Sequence, residues 1–302
     1  MPEHNIGTRA VADTDREVQA RESNERIIHT NGVDLCVETF GDPACPAMLL
    51  IMGAAASMLG WEDEFCRRLA AGSRFVIRYD NRDTGRSVSY EPGAPQYTMR
   101  DLVADALGLL DAFGLARAHF VGMSAGGVIS QLVAVDHPKQ VASLTLISTS
   151  PGGPDLPGPS DEFLAFVTAA AMPDWSDRTA VVNYIVEFER ACAGSSRPFD
   201  EPARHHLAGR VFDRTANIAS AMQNHFLLEA GDPLRERLGE IRAPTLVLHG
   251  TEDPVFPHAH ARALANAIPR AQLLMLEQTG HELPRSVWDL VVPAILRHSS
   301  GR

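Results

Sequence analysis

Five residues, Gly122-Met123-Ser124-Ala125-Gly126, constrain this chain more than any others because of what stands on either side of them. His119-Phe120-Val121 reads as a buried strand and Ala125 to Asp136 as a helix, so the backbone must reverse within a few residues. A turn that sharp has no room for side chains beside its apex. Glycine accordingly stands two residues before and two after Ser124, and Gly127 adds a further small residue that lets the helix lie close on the sheet. The strain of such a turn pushes a hydroxyl out beyond the sheet edge. A glycine-rich turn with an incidental serine is the plain alternative, and the rest of the chain decides between the two.

Strand and helix signals alternate along the sequence. Ile27 to Thr30 and Asp34 to Thr39 are β-rich runs joined at Asn31-Gly32, a two-residue hairpin signal. Met48 to Met52 and Phe75-Val76-Ile77 read as buried strands, separated by a helical stretch from Met58 to Ala71 in which Trp61, Phe65 and Leu69 lie four apart. From Met99 to Phe113 apolar residues recur with helical period, and Gly114 stands where a helix-ending glycine belongs. Ser143 to Ile147, Thr245 to His249 and Gln272 to Leu276 supply further strands. This alternation predicts an α/β fold, a mostly parallel central sheet flanked by helices. The rhythm breaks at Pro151-Gly152-Gly153-Pro154, and from there to Leu228 the chain reads as helices and polar turns, a helical cap inserted after the sixth strand. The expected organisation is a flexible N-terminal arm over residues 1–25, a core of residues 26–150 and 229–302, and a cap of residues 151–228. A cap is the element in which substrate is usually chosen.

A serine hydroxyl is a weak nucleophile at neutral pH, so it needs a base within reach, and the base needs an acceptor to hold its tautomer. Asp253 follows one late strand in Gly250-Thr251-Glu252-Asp253, and His281 follows the next in Thr279-Gly280-His281-Glu282. Both lie beyond carboxyl ends of sheet strands, where open α/β sheets place their sites. Ser124, Asp253 and His281 are therefore the expected catalytic set, with Glu252 as the neighbouring carboxylate. The backbone N–H groups of Ala125 and Ala54 are the expected oxyanion donors. Among the other histidines, His258 and His260 read as a helix face, His205, His206 and His225 as solvated cap positions, and His119 and His249 as structural. Met58, Trp61, Phe163, Trp175, Tyr184 and Phe226 are the candidates for substrate contact.

Composition removes other classes. The net charge of −11 over 302 residues is spread along the chain with no basic block, which excludes nucleic acid as a partner. The polar N-terminus lacks the apolar run of a signal peptide or membrane span, which points to the cytoplasm and no membrane partner. Cys36, Cys45, Cys66 and Cys192 lie far apart and read as free thiols. With no P-loop, dinucleotide fingerprint or H-E-x-x-H, neither cofactor nor metal is expected.

One segment is far more specific than the pentapeptide. Arg78-Tyr79-Asp80-Asn81-Arg82-Asp83-Thr84-Gly85-Arg86-Ser87, with Leu50-Ile51-Met52-Gly53, Gly60-Trp61 through Phe65, and Arg68-Leu69, resembles the aclacinomycin methylesterase branch of the α/β hydrolases from about Arg26 onward. The Arg78 to Ser87 run is expected to brace the loop beside the site. An aspartate would stand at the Ser124 position in a dehalogenase or epoxide hydrolase of that fold. The branch includes anthracycline methylesterases and macrolide esterases of the EstX and EstT kind. The resemblance thus implies hydrolysis of a small-molecule ester or lactone on a bulky polyketide, with macrolide lactone opening the leading expectation, that is, antibiotic inactivation. An anthracycline methyl ester comes second and a small carboxylic ester third. A binding protein that kept the fold without catalysis is the reading from another class.

Overall fold

The computed structural model describes residues 24–228 and 234–300. The expected N-terminal arm falls, but for its last two residues, outside the described residues. Eight strands, β1 (Arg26–Thr30), β2 (Val33–Phe40), β3 (Ala47–Ile51), β4 (Phe75–Tyr79), β5 (Ala118–Met123), β6 (Val141–Ile147), β7 (Thr245–Gly250) and β8 (Gln272–Leu276), form one sheet in the order β1-β2-β4-β3-β5-β6-β7-β8. Its first two pairings are antiparallel, and all others are parallel. The β1–β2 hairpin turns at Asn31 and Gly32, with φ of 48° and 75°, the paired left-handed geometry that two-residue hairpins favour.

Helices α1 (Asp63–Ala71), α2 (Met99–Ala112), α3 (Ala125–Asp136), α8 (Ala259–Ala267) and α9 (Trp288–Ser299) cover the sheet, and α4 (Asp161–Ala169), α5 (Arg178–Cys192), α6 (Glu201–Arg214) and α7 (Ile218–Gln223) lie between β6 and β7. The expected α/β-hydrolase architecture, with its helical insertion after the sixth strand, is what forms. Alternation along β3 shows how the sheet is buried on both sides. Leu49 and Ile51 join one apolar cluster with Leu102, Leu109, Ile129 and Leu264, whereas Met48 and Leu50 join another with Phe65, Leu69, Trp288 and Ile295. Burial of one such Leu or Ile side chain stabilises the fold by about 1.5–3 kcal/mol. The insertion has its own apolar core of Val181, Ile185, Val186, Ala208 and Ile218.

One detail differs from expectation, and one element lies beyond it. The stretch Met58 to Ala71 is not one helix: a 3₁₀ turn over Met58–Gly60 precedes α1, because the Ser57 side chain caps Leu59 N–H and Asp80 takes Met58 N–H at 2.8 Å. The C-terminal helix α9 had no expectation attached to it, and it carries Pro293 in its interior.

Candidate active site

Carboxyl ends of β3, β5, β7 and β8 meet at one edge of the sheet. Ser124 joins β5 to α3 with φ 52° and ψ −119°, a conformation that costs a residue with a side chain about 1–3 kcal/mol. Its neighbours over-determine it. Ser124 N–H donates to the Ile147 carbonyl (2.9 Å), and the Ser124 carbonyl accepts from Gly127 N–H (2.9 Å) and Thr149 Oγ1 (2.7 Å). A Cβ at Gly126 would stand 2.7 Å from Ile51 C and 2.8 Å from Met52 O, so only glycine lets α3 come this close to β3. Gly53 lies against the serine; a Cβ there would fall 3.7 Å from Ser124 Oγ.

Asp253 and His281 reach each other from consecutive strand ends, with His281 Nδ1 2.9 Å from Asp253 Oδ2. The other oxygen, Oδ1, accepts Val255 N–H (2.9 Å) and Phe256 N–H (2.8 Å). Burial alone would raise the Asp253 carboxyl; the opposing pull of His281, of His249 and of the Phe256 N–H holds it below the usual carboxylate range. An ionised Asp253 accepts from Nδ1–H and leaves His281 Nε2 with its lone pair free, which is the tautomer a general base needs. His249 stands 3.4 Å from the same oxygen and donates Nε2–H to the Phe256 carbonyl at 2.7 Å. Burial pulls this imidazole below its ordinary value, against the opposing pull of the Asp253 charge.

Glu252 turns the other way. Its carboxylate accepts Ser196 N–H at 2.9 Å, in the segment that follows α5. That segment also ties down the His281 loop: the Cys192 carbonyl accepts His281 N–H (2.7 Å), Glu282 accepts Gly194 N–H (3.1 Å), and Arg197 donates to the Glu277 carbonyl (2.9 Å). Nothing in the sequence signals this strap, because its members are more than fifty residues apart along the chain.

Ala125 N–H opens α3 and belongs to the first-turn donors that a helix cannot satisfy itself. Ala54 follows Gly53 in the turn beside Ser124, and the two alanines line one small cavity with Asn81 and His225. The 78–87 run is a braced charged turn. Arg78 pairs with Asp63 (2.6 Å) and Glu38; Arg82 grips Asp105 with two bonds of 2.7 and 2.8 Å; Asp80 takes Arg86 N–H (3.0 Å) and the Arg214 guanidinium of α6 (2.6 Å). Asp83 accepts from Tyr97 (2.7 Å) and from Asn224 (2.9 Å), beyond α7.

The remaining candidates divide. Met58 and Trp61 are in the core at 0% and 1% exposure, Trp61 stacked on Phe65, and so present no face to a ligand, contrary to expectation. Phe163 is buried against Phe188, and Trp175 packs edge-on to Tyr184 within the insertion. Phe226 is exposed. His205 faces Glu201 on the surface of α6, but His225 is not a solvated position: both ring nitrogens are bonded to backbone groups. His260 is likewise held by Ser150 and the Pro157 carbonyl.

Sheet order, a strained serine at a strand-to-helix elbow and an Asp–His pair at the adjoining strand ends define a hydrolase of the α/β-hydrolase superfamily. The chain belongs to the serine aminopeptidase S33 family (Hydrolase_4), whose model matches residues 43–285. It is similar to Rhodomycin D methylesterase DauP of Streptomyces sp. (strain C5), 34% identical over 291 residues that cover 91% of this chain and 97% of DauP. Rhodomycin D methylesterase DnrP of Streptomyces peucetius matches to the same identity and coverage. Among solved structures the fold is shared with the enol-lactonase from Burkholderia xenovorans LB400, with a TM-score of 0.71 at 24% identity, covering 91% of this chain and all of that one. Esterase EaEST from Exiguobacterium antarcticum gives 0.72 at 20% identity, covering 91% and 98%. The chain is thus a serine-hydrolase-type esterase. Among the described residues no helix is long and apolar enough to cross a membrane.

Proposed function

We propose that this esterase cleaves the methyl ester of an anthracycline-type polyketide through Ser124, His281 and Asp253. His281 Nε2 takes the Ser124 proton as Oγ adds to the ester carbonyl. The N–H groups of Ala125 and Ala54 hold the oxyanion, and collapse expels methanol with the proton that His281 returns. Water then attacks the acyl-enzyme by the same route, freeing the carboxylic acid and restoring Ser124. Asp253 holds the base in its tautomer and stabilises the imidazolium. Residues 151–228 act as the cap over this site.

The 2.9 Å bond from His281 Nδ1 to Asp253 Oδ2 is the observation that carries the mechanism. The two methylesterase relatives, similar over nearly their whole length, support a methyl ester ahead of the macrolide lactone expected first from the sequence. Mass spectrometry of reactions with both substrate classes tests this directly. Methyl ester cleavage removes one CH₂ equivalent from the parent and yields methanol, whereas ring opening adds one water. Wild type should give the first product and Ser124→Ala neither. Full turnover by Ser124→Ala would refute the mechanism, and addition of water alone would restore the lactone. A protein that neither turns over an activated ester nor takes a fluorophosphonate label on Ser124 would be a binding protein instead.

A further inference from the structure

His225 reaches from the 3₁₀ turn Asn224–Leu227 of the insertion into the loop that follows β3. Its Nε2 lies 2.8 Å from the Arg82 carbonyl, and its Nδ1 lies 3.0 Å from Ala55 N. A carbonyl can only accept and a backbone N–H can only donate. The tautomer is therefore determined: Nε2 carries the hydrogen, and Nδ1 offers its lone pair to Ala55. Burial holds the imidazole below its ordinary value against the opposing pulls of the Arg82 carbonyl and the Asp83 charge, which suits this neutral form.

Ala55 is where that loop is under strain. Gly53 to Ala56 form a turn closed by a long bond of 3.3 Å, and Ala55 occupies its third position with φ 63°, where glycine is the usual residue. An alanine in that region costs about 1–2 kcal/mol. That long bond is weak local compensation, so without a partner for its N–H the turn would relax toward negative φ and re-aim the peptide groups on either side of Ala54.

We propose that His225 is a positioning residue for the oxyanion hole, accepting Ala55 N–H so that the strained turn keeps Ala54 N–H aimed at the site beside Ser124. The assignment rests on the reading of Ala54 as an oxyanion donor given above. The anchor of His225 is itself rigid: the neighbouring Asn224 side chain is buried, donating to Asp83 and to the Glu91 carbonyl and accepting from Gly93 N–H. An element of the insertion thereby sets the geometry of a hole built by the core.

Two substitutions separate the two ring nitrogens. Asparagine places its amide oxygen where Nδ1 stands and keeps an acceptor for Ala55; glutamine extends to the Nε2 position, keeps a donor for Arg82 and abandons Ala55. His225→Gln should lose on the order of 10–10²-fold in kcat, with KM within threefold and a matching loss of affinity for a trifluoromethyl ketone, which mimics the oxyanion. His225→Asn should stay within about fivefold of wild type, and adding Ala55→Gly to His225→Gln should return part of the lost rate by removing the strain. Equal losses in the two single variants, or wild-type kcat in His225→Gln, would overturn the proposal. Imidazole ¹⁵N spectra of the wild-type protein at pH 7 give a check that needs no variant: a neutral Nε2–H form of His225 is expected, and an Nδ1–H form or an imidazolium would overturn it. Ser124→Ala keeps the two readings apart. If that variant is inactive while His225→Gln is normal, only the role of His225 fails; if it is active, the mechanism beneath it fails as well.

Discussion

Replacing Gly280 with alanine tests whether the strap after α5 positions the base. A Cβ at Gly280 would stand 2.5 Å from Ala193 C and would overlap the Cys192 carbonyl oxygen and Gly194 nitrogen, whereas ordinary contact begins near 3.4 Å. The obstacle is backbone, so one of the two segments must recede by about 1 Å. The bond most exposed to that movement is His281 N–H to the Cys192 carbonyl, 2.7 Å long and one residue away. Overpacking of this kind costs about 1–3 kcal/mol of stability, and a misplacement of about 1 Å at a reacting group costs on the order of 10²-fold in rate. Steady-state hydrolysis of a p-nitrophenyl ester should therefore show kcat reduced by about that factor, while circular dichroism reports a folded protein with a lowered Tm. Because the movement displaces His281 relative to Asp253 and Ser124, which stand on other loops, the loss should fall on proton transfer and kcat and spare KM. A folded Gly280→Ala protein with wild-type kcat would refute the view that the strap sets the position of His281.

Asp253→Asn should lower kcat on the order of 10⁴-fold, while Glu252→Gln, which keeps an acceptor for Ser196 N–H, should stay within a few-fold; a loss under tenfold in the first would return the acid's role to Glu252. Asp105→Ala strands the Arg82 guanidinium in the core and should cost about 3–5 kcal/mol in urea unfolding, with a cost below 1 kcal/mol counting against a buried ion pair. Burial, with Arg74, Arg117 and His298 nearby, holds the His119 imidazole down to about 4. The unfolded chain then binds a proton first as pH falls below about 6.5, and stability drains away between there and pH 4. His119→Asn, which keeps a partner for Ser143, should flatten that decline in urea midpoints, and an unchanged slope would remove His119 as its cause. Burial pushes the Cys36 and Cys66 thiols up to about 12 and raises Cys192 as well, so a disulfide reagent at pH 8 should modify Cys45 alone in the folded protein, and fast reaction of any of the other three would contradict their burial.

The residues of this site that were legible in the sequence are those whose signal is local. Ser124 announces itself because elbow, strand and helix fall within twenty consecutive residues, and Asp253 and His281 because each follows a strand that apolar runs mark. The Arg78 to Ser87 run could be read as a brace for the loop beside the site, but its partners could not be named. Its partners Asp105, Glu25, Arg214 and Asn224 lie from 23 to 141 residues away or on elements that only the fold brings near. His225 misled for the same reason, since a histidine in a short 3₁₀ turn carries no periodicity to show which way it faces. Trp61 misled differently. Its spacing from Phe65 and Leu69 fitted a helix face, yet it caps a separate turn and reaches Phe65 by stacking.

These long-range ties also bear on how the insertion can move. It is joined to the core by the buried Arg214–Asp80 pair, by Asn224 on Asp83, by His225 on the β3 loop and by the strap on the loops of Asp253 and His281. Lifting it as a rigid body would break all four and would leave Asp80, buried in the core, without its counter-charge. The Leu164, Val167 and Met172 side chains of the stretch carrying α4 are 45%, 42% and 61% exposed and contribute to none of these ties. A substitution near α4 is therefore expected to leave the Asp253–His281 pair and the loop after β3 in place, whereas one near Cys192, Arg214 or His225 is expected to disturb them even at a distance from Ser124.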